Sequence, residues 1–178
     1  MRAGAKPLAV ATPRKRKIMA VAPAREQQER QSDGMKAISI RNPYAHFIMC
    51  GEKTVECRSW QTDYRGDLLI CSSANPKIKD TICGHALCIA RLDSIEPFKK
   101  EHLDAACMGD MPEGKNYAWQ LTNVRVIKPF PVKGKLNFFD VDDELIEIID
   151  NGDDSLTEEE AEKLYTEYIE PLLYKGRS

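Results

Sequence analysis

A chain of 178 residues, 42% hydrophobic and 30% charged, holds enough apolar material for one domain with a single core and little more. No run approaches the roughly 20 apolar residues of a membrane helix, which excludes a helical membrane-spanning protein. The net charge of -2 conceals an asymmetry: residues 1–34 carry eight Lys or Arg against three acids, residues 35–139 fifteen against eleven, and residues 140–178 three against fourteen. A basic arm, a mildly basic domain and an acidic tail steer nucleic acid toward one face, or simply solvate the acidic end.

Residues 1–34 are rich in Ala, Pro, Gln and Arg without a core-forming pattern, and read as a disordered basic arm. Arg14-Lys15-Arg16-Lys17 suits phosphate contacts or an ordinary solvated run. The apolar stretch Ile18 to Ala22 is short and interrupted by Pro23, which argues against a secretory signal, while the lack of acids before Glu26 leaves a mitochondrial presequence open. Six cysteines without a secretory signal point to reduced thiols in a cytoplasmic protein, expected to be a monomer.

Lys36 to Ile40 reads as a first strand, followed by a short helix with Asn42 as N-cap, Pro43 at its first position and Gly51 just past its end. Thr54 to Arg58 reads as the next strand. If it is extended, Thr54, Glu56 and Arg58 share an ionic face, while Val55 and Cys57 share an apolar one. Such a strand floors a polar cleft or is an exposed edge with solvated ion pairs. Trp60 and Tyr64-Arg65-Gly66 follow closely, adding rings on which a base can stack.

Gly66 to Cys71 and His85 to Ile95 are further strands. Cys83, His85 and Cys88 do not converge on a strand, since the first two face one side and the third the other, so no metal site is expected. Lys99 to Met108 reads as a helix ending at Gly109, with a rim loop from Asp110 to Asn116. Tyr117 to Ile127 is a long strand on which Tyr117, Trp119 and Leu121 share a face. Trp119 there anchors the core, while Tyr117 either packs or stacks on a base. Pro129, Pro131 and Gly134 impose an irregular crossing, and Lys133 and Lys135 flank its glycine, where they grip phosphate or are ordinary turn residues.

The acidic extension, residues 142–178, is expected to hold a short helix around Leu145 to Ile149 and then an amphipathic helix. Thr157 and Glu160 form a capping box for the latter, and Ala161, Leu164, Tyr165, Tyr168, Ile169 and Leu172 recur at helical spacing. That stripe packs back on the domain or receives a partner.

Gly51, Lys53, Glu56 and Arg58 spell GxKxxExR. Together with Lys36 to Ala45, Arg58 to Trp60, Tyr64 to Ile70, Tyr117 to Arg125 and Pro131 to Lys135, in order over about residues 35–141, the chain resembles the ASCH domain family. The resemblance implies a mainly β fold with some α, namely a PUA-like β-barrel with short flanking helices, here followed by the C-terminal amphipathic helix. It also implies a cleft for RNA or a modified nucleoside. Some ASCH-like proteins are similar to amidohydrolases that deacetylate N4-acetylcytidine with a lysine and a hydroxyl residue of this motif and a later glutamate. The position matching that hydroxyl is Glu56 here, and Thr54 lies one strand repeat earlier.

The expected site is thus a cleft around Lys53, Glu56 and Arg58, with no cofactor. Lys53 and Arg58 neutralise phosphate or orient the ligand, Glu56 accepts from a base edge or holds Lys53, and Trp60 or Tyr64 stacks. Arg41, Tyr117, Lys133 and Lys135 complete the candidate ligand-binding set. The alternative is an amidohydrolase acting on an acylated cytidine nucleoside, in which Lys53 serves as base or nucleophile and Glu56 or Thr54 assists. A third class is a protein adaptor using the acidic helix and basic arm.

Overall fold

The computed structural model describes residues 34–176. The basic-arm expectation therefore lies, except for Gly34, outside the described residues. Seven strands form one sheet: β1 (Met35–Ile40), β2 (Val55–Arg58), β3 (Gly66–Ser72), β4 (His85–Pro97), β5 (Tyr117–Pro131), β6 (Phe138–Val141) and β7 (Ile148–Asp150). Helix α1 (Tyr44–Met49) joins β1 to β2, and helix α2 (Glu158–Leu164) follows β7.

The strand order is β2-β5-β4-β3-β1-β6, with β7 paired to β5. Only β1 and β3 run parallel, since a crossover through α1 and β2 separates them. Residue alternation sets the two faces: Ile38, Leu68, Ile70, Cys88 and Leu92 enter the main core with Tyr117, Trp119 and Leu121, whereas Ala37, Leu69, Cys71 and Ile89 pack on the opposite face with Phe139 and Val141. The β4 and β5 strands span 13 and 15 residues, and three register shifts between them provide local bends.

The expected barrel is not closed. The hydrogen-bonded path ends at β2 on one side and β6 on the other, with no pairing between these strands. Aromatic rings bridge the ends instead. Phe138 of β6 meets Trp60, just beyond β2, with centroids 5.2 Å apart, and Trp60 meets Trp119 edge-to-face at 4.6 Å. Side-chain packing needs no strand register, so it joins the ends without a continuous ladder.

Other expectations shift for physical reasons. Asn42 is buried, and its amide donates to the Ile82 carbonyl at 3.2 Å rather than capping α1; Pro43 occupies the cap position. Gly51 ends that segment as expected, with φ of +78°. Lys99 to Met108 forms a 3₁₀ turn over Lys100–His102 and further turns, not a helix. Its backbone bonds tertiary partners instead: Ala105 accepts from the Thr54 and Val55 amides at 2.9 and 3.0 Å, and Cys107 adopts a positive φ of +54°. β5 runs on to Pro131, because His85 and Ala86 pair with Pro131 and Phe130 beyond a register shift.

In the C-terminal extension, a 3₁₀ turn over Asp143–Leu145 and strand β7 replace the expected short helix. The Thr157–Glu160 capping box is present, but α2 passes into wider π turns over Tyr165–Ile169 that change the phase of its apolar stripe. Ile169 is 3% exposed in the main core, whereas Tyr165 and Leu172 stay exposed. Among the described residues no helix is long and apolar enough to cross a membrane, and all six cysteines are free.

Candidate functional site

A cleft of about 430 Å³ opens where β1 and β2 lie side by side without pairing, bordered by α1 and by the segment leading into β6. β2 supplies its floor. Val55 turns away into an apolar cluster with Phe98, Ala106 and Ala118, which leaves Glu56 and Arg58 on the cleft side.

The charged groups form a chain across this seam. Lys53, 2% exposed, donates from Nζ to the Ala106 carbonyl at 2.6 Å and lies 3.4 Å from Glu56 Oε2 and 5.0 Å from the centre of the Tyr44 ring. Glu56 Oε1 lies 3.1 Å from Arg58 Nε, and Arg58 Nη2 donates to the Ser39 carbonyl of β1 at 2.9 Å. Each oxygen of the buried carboxylate therefore has a cation beside it, which offsets the cost of removing the charges from water. The same chain ties the 99–108 turn, β2 and β1 together.

Four cations, Arg41, Lys53, Arg58 and Lys135, line the cleft against one carboxylate, Glu56. That excess sits between low-dielectric walls and favours an anionic ligand. Ser39 also lines the cleft, while its hydroxyl is buried against Gly134 without a hydrogen-bond partner. The Cys57 thiol at the cleft is held above its ordinary value by desolvation and then by Glu56.

The remaining residues singled out from the sequence lie elsewhere. Lys133 borders a neighbouring shallow groove that it shares with Lys135. Thr54 is exposed, outside the cleft lining. Trp60 packs on Trp119 and Phe138 and its carbonyl accepts from the Trp119 indole N–H at 3.3 Å. Tyr64 packs on Phe138, and its hydroxyl donates to the Asp67 carbonyl at 2.6 Å. Tyr117 is buried in the main core. The aromatic ring at the cleft is instead Tyr44, which sequence reasoning did not select, along with Ser39, Ser73 and Asn137. A usable signal for Tyr44 was its place at the start of the short helix that ends just before Gly51 and Lys53.

A family model for the ASCH domain matches residues 38–131. Among solved structures, the chain is similar to an ASCH protein from Zymomonas mobilis, at 16% identity and a TM-score of 0.50, over 75% of this chain and 95% of that one. A mutant form of that protein aligns at 17% identity and a TM-score of 0.48, over 75% and 97%. No match was found among curated proteins. The matched span covers more than half of the sequence and contains β2, β3, β4 and β5 with the whole Lys53–Glu56–Arg58 chain, so the protein belongs to the ASCH domain family, with its PUA-like fold.

Proposed function

We propose that the protein binds RNA, accepting one nucleotide, modified or not, in the cleft between β1 and β2. The observation that carries this reading is the ratio of four cations to one carboxylate around a 430 Å³ space. Arg41 and Lys135, both exposed at the rim, neutralise phosphates. Arg58, tied to Glu56 and Ser39, orients the nucleotide. Glu56 meets a polar edge of the base, and Tyr44 offers its ring. Lys53 holds Glu56 in place and adds positive potential at the bottom of the cleft.

A second reading, hydrolysis of an acylated cytidine, is favoured by one arrangement: the buried ammonium–carboxylate pair of Lys53 and Glu56 at the cleft. Water would add to the acyl carbon, the C–N bond would break, and the departing amine would take a proton from the pair. Against a panel of short RNAs and N4-acylated cytidines, the binding reading expects salt-dependent RNA affinity, lost in the folded fraction of Lys53→Ala. It also expects Glu56→Gln to change that affinity by only about 1 kcal/mol, because an amide still accepts hydrogen bonds. Turnover of an acylated cytidine that disappears in Glu56→Gln while binding persists would replace it with the enzyme reading.

A further inference from the structure

Leu136 is 91% exposed, far more than Leu145 at 56%, the next large hydrophobic among the described residues. Single exposed leucines are ordinary on protein surfaces. This one stands at the mouth of the cleft, between Lys135 and Asn137, which line it too.

The loop that carries it is anchored at both ends. On one side the Val132 amide donates to the Gly84 carbonyl at 3.0 Å, directly after Pro131 ends β5. On the other, Phe138 is wedged against Trp60, Tyr64 and Trp119 at centroid distances of 5.2, 5.7 and 5.8 Å. Between these anchors Gly134 lies so close to β1 that a Cβ there would collide with the Ser39 hydroxyl. Asn137, at φ of +58°, turns the chain back toward β6. The result is a short finger with an apolar tip and an exposed lysine at position 133 and at position 135.

A nucleotide-sized cationic cleft beside an exposed apolar tip on an anchored loop is the pair of features needed to remove a base from a stack and occupy its place. Resting on the RNA-binding reading, the geometry points to base extrusion: the protein takes its nucleotide out of stacked RNA, and Leu136 inserts where the base stood. Lys133 and Lys135 hold the phosphates flanking the gap. An unstacked strand leaves no gap to occupy, so Leu136 contributes little to its binding. The rest of the cleft serves both kinds of RNA, so the difference between them reads the part played by Leu136 at its mouth.

The test uses the full chain and a hairpin RNA with a fluorescent 2-aminopurine inside its stem, compared with the same sequence as an unpaired strand. Wild type should raise the stem fluorescence as the probe leaves the stack. Leu136→Ala should lose that rise and bind the hairpin about tenfold more weakly, with a clearly smaller loss of affinity for the unpaired strand. Leu136→Phe should retain both signals. Equal behaviour of Leu136→Ala and wild type on both RNAs, or no fluorescence rise from wild type on a hairpin it binds, would overturn the finger. If wild type binds both RNAs in a Lys53-dependent manner in such a case, the RNA-binding reading stands alone; if it binds neither RNA, both fall.

Discussion

The ammonium of Lys53 lies 2.6 Å from the carbonyl oxygen of Ala106, fifty-three positions further along the chain. One buried side chain thereby connects the segment leading into β2, the floor of the cleft, to a turn that is neither helix nor strand. The Thr54 and Val55 amides reinforce the junction by donating to Ala105. The shape of the cleft floor depends on this junction.

Truncating Lys53 removes a buried support of the fold. Lys53→Ala leaves the Ala106 carbonyl unpartnered and Glu56 with Arg58 as its remaining cation, so it should destabilise the fold by about 3–5 kcal/mol. A urea titration followed by tryptophan fluorescence measures this. An unchanged midpoint would show that the turn is held without the lysine.

The aromatic side chains should separate stability from binding. Trp60→Ala removes the rings' bridge between the sheet ends and should cost about 3 kcal/mol, yet leave RNA affinity of the folded fraction unchanged, since Trp60 lies outside the cleft. Tyr44→Ala should weaken binding by about 1–3 kcal/mol. Calorimetric stability and fluorescence anisotropy on the same two variants decide the matter, and the opposite pattern would return the stacking role to Trp60.

His46 supplies a pH dependence with a definite sign. Desolvation lowers its pKa below the ordinary 6.5, with Glu52 opposing, and its buried Nδ1 has no hydrogen-bond partner. The unfolded chain therefore takes up a proton first as pH falls, so stability should decline from near neutrality through 6.5 and level off once the lowered folded-state value is passed. Chemical denaturation of His46→Gln from pH 7.5 to 5.5 should show a shallower decline than wild type. Identical slopes would remove His46 as the cause.

Burial pushes the Cys71 thiol up to about 12 and raises that of Cys88 as well. Iodoacetamide at pH 8 should leave both unmodified in the folded protein and label both after denaturation, because the thiolate is the reacting species. Folded-state stability should also fall as pH rises past 9, where the unfolded thiols ionise first. Peptide mapping by mass spectrometry reads the labelling directly, and native modification of Cys88 would contradict its burial.

Residue order by itself determined the features that depend on near neighbours. Alternation in an extended segment separates Glu56 and Arg58 from Val55, and the same rule puts Tyr117, Trp119 and Leu121 on one core-facing side of β5. The Thr157–Glu160 box and the turn at Gly51 are equally local, being closed by groups three residues apart or by one residue's backbone freedom. Tertiary structure decided the rest. Whether Trp60 or Tyr44 borders the cleft depends on how α1 and the ends of the sheet are brought together, which no local period encodes. The 99–108 segment has a helical pattern, yet its carbonyls bond β2 and Lys53, a competition visible only once those strands are in place. The sheet stays open for the same reason. Closure requires a backbone ladder between β2 and β6, and aromatic side chains from distant positions meet there instead, leaving beside them the seam between β1 and β2 in which the cleft lies.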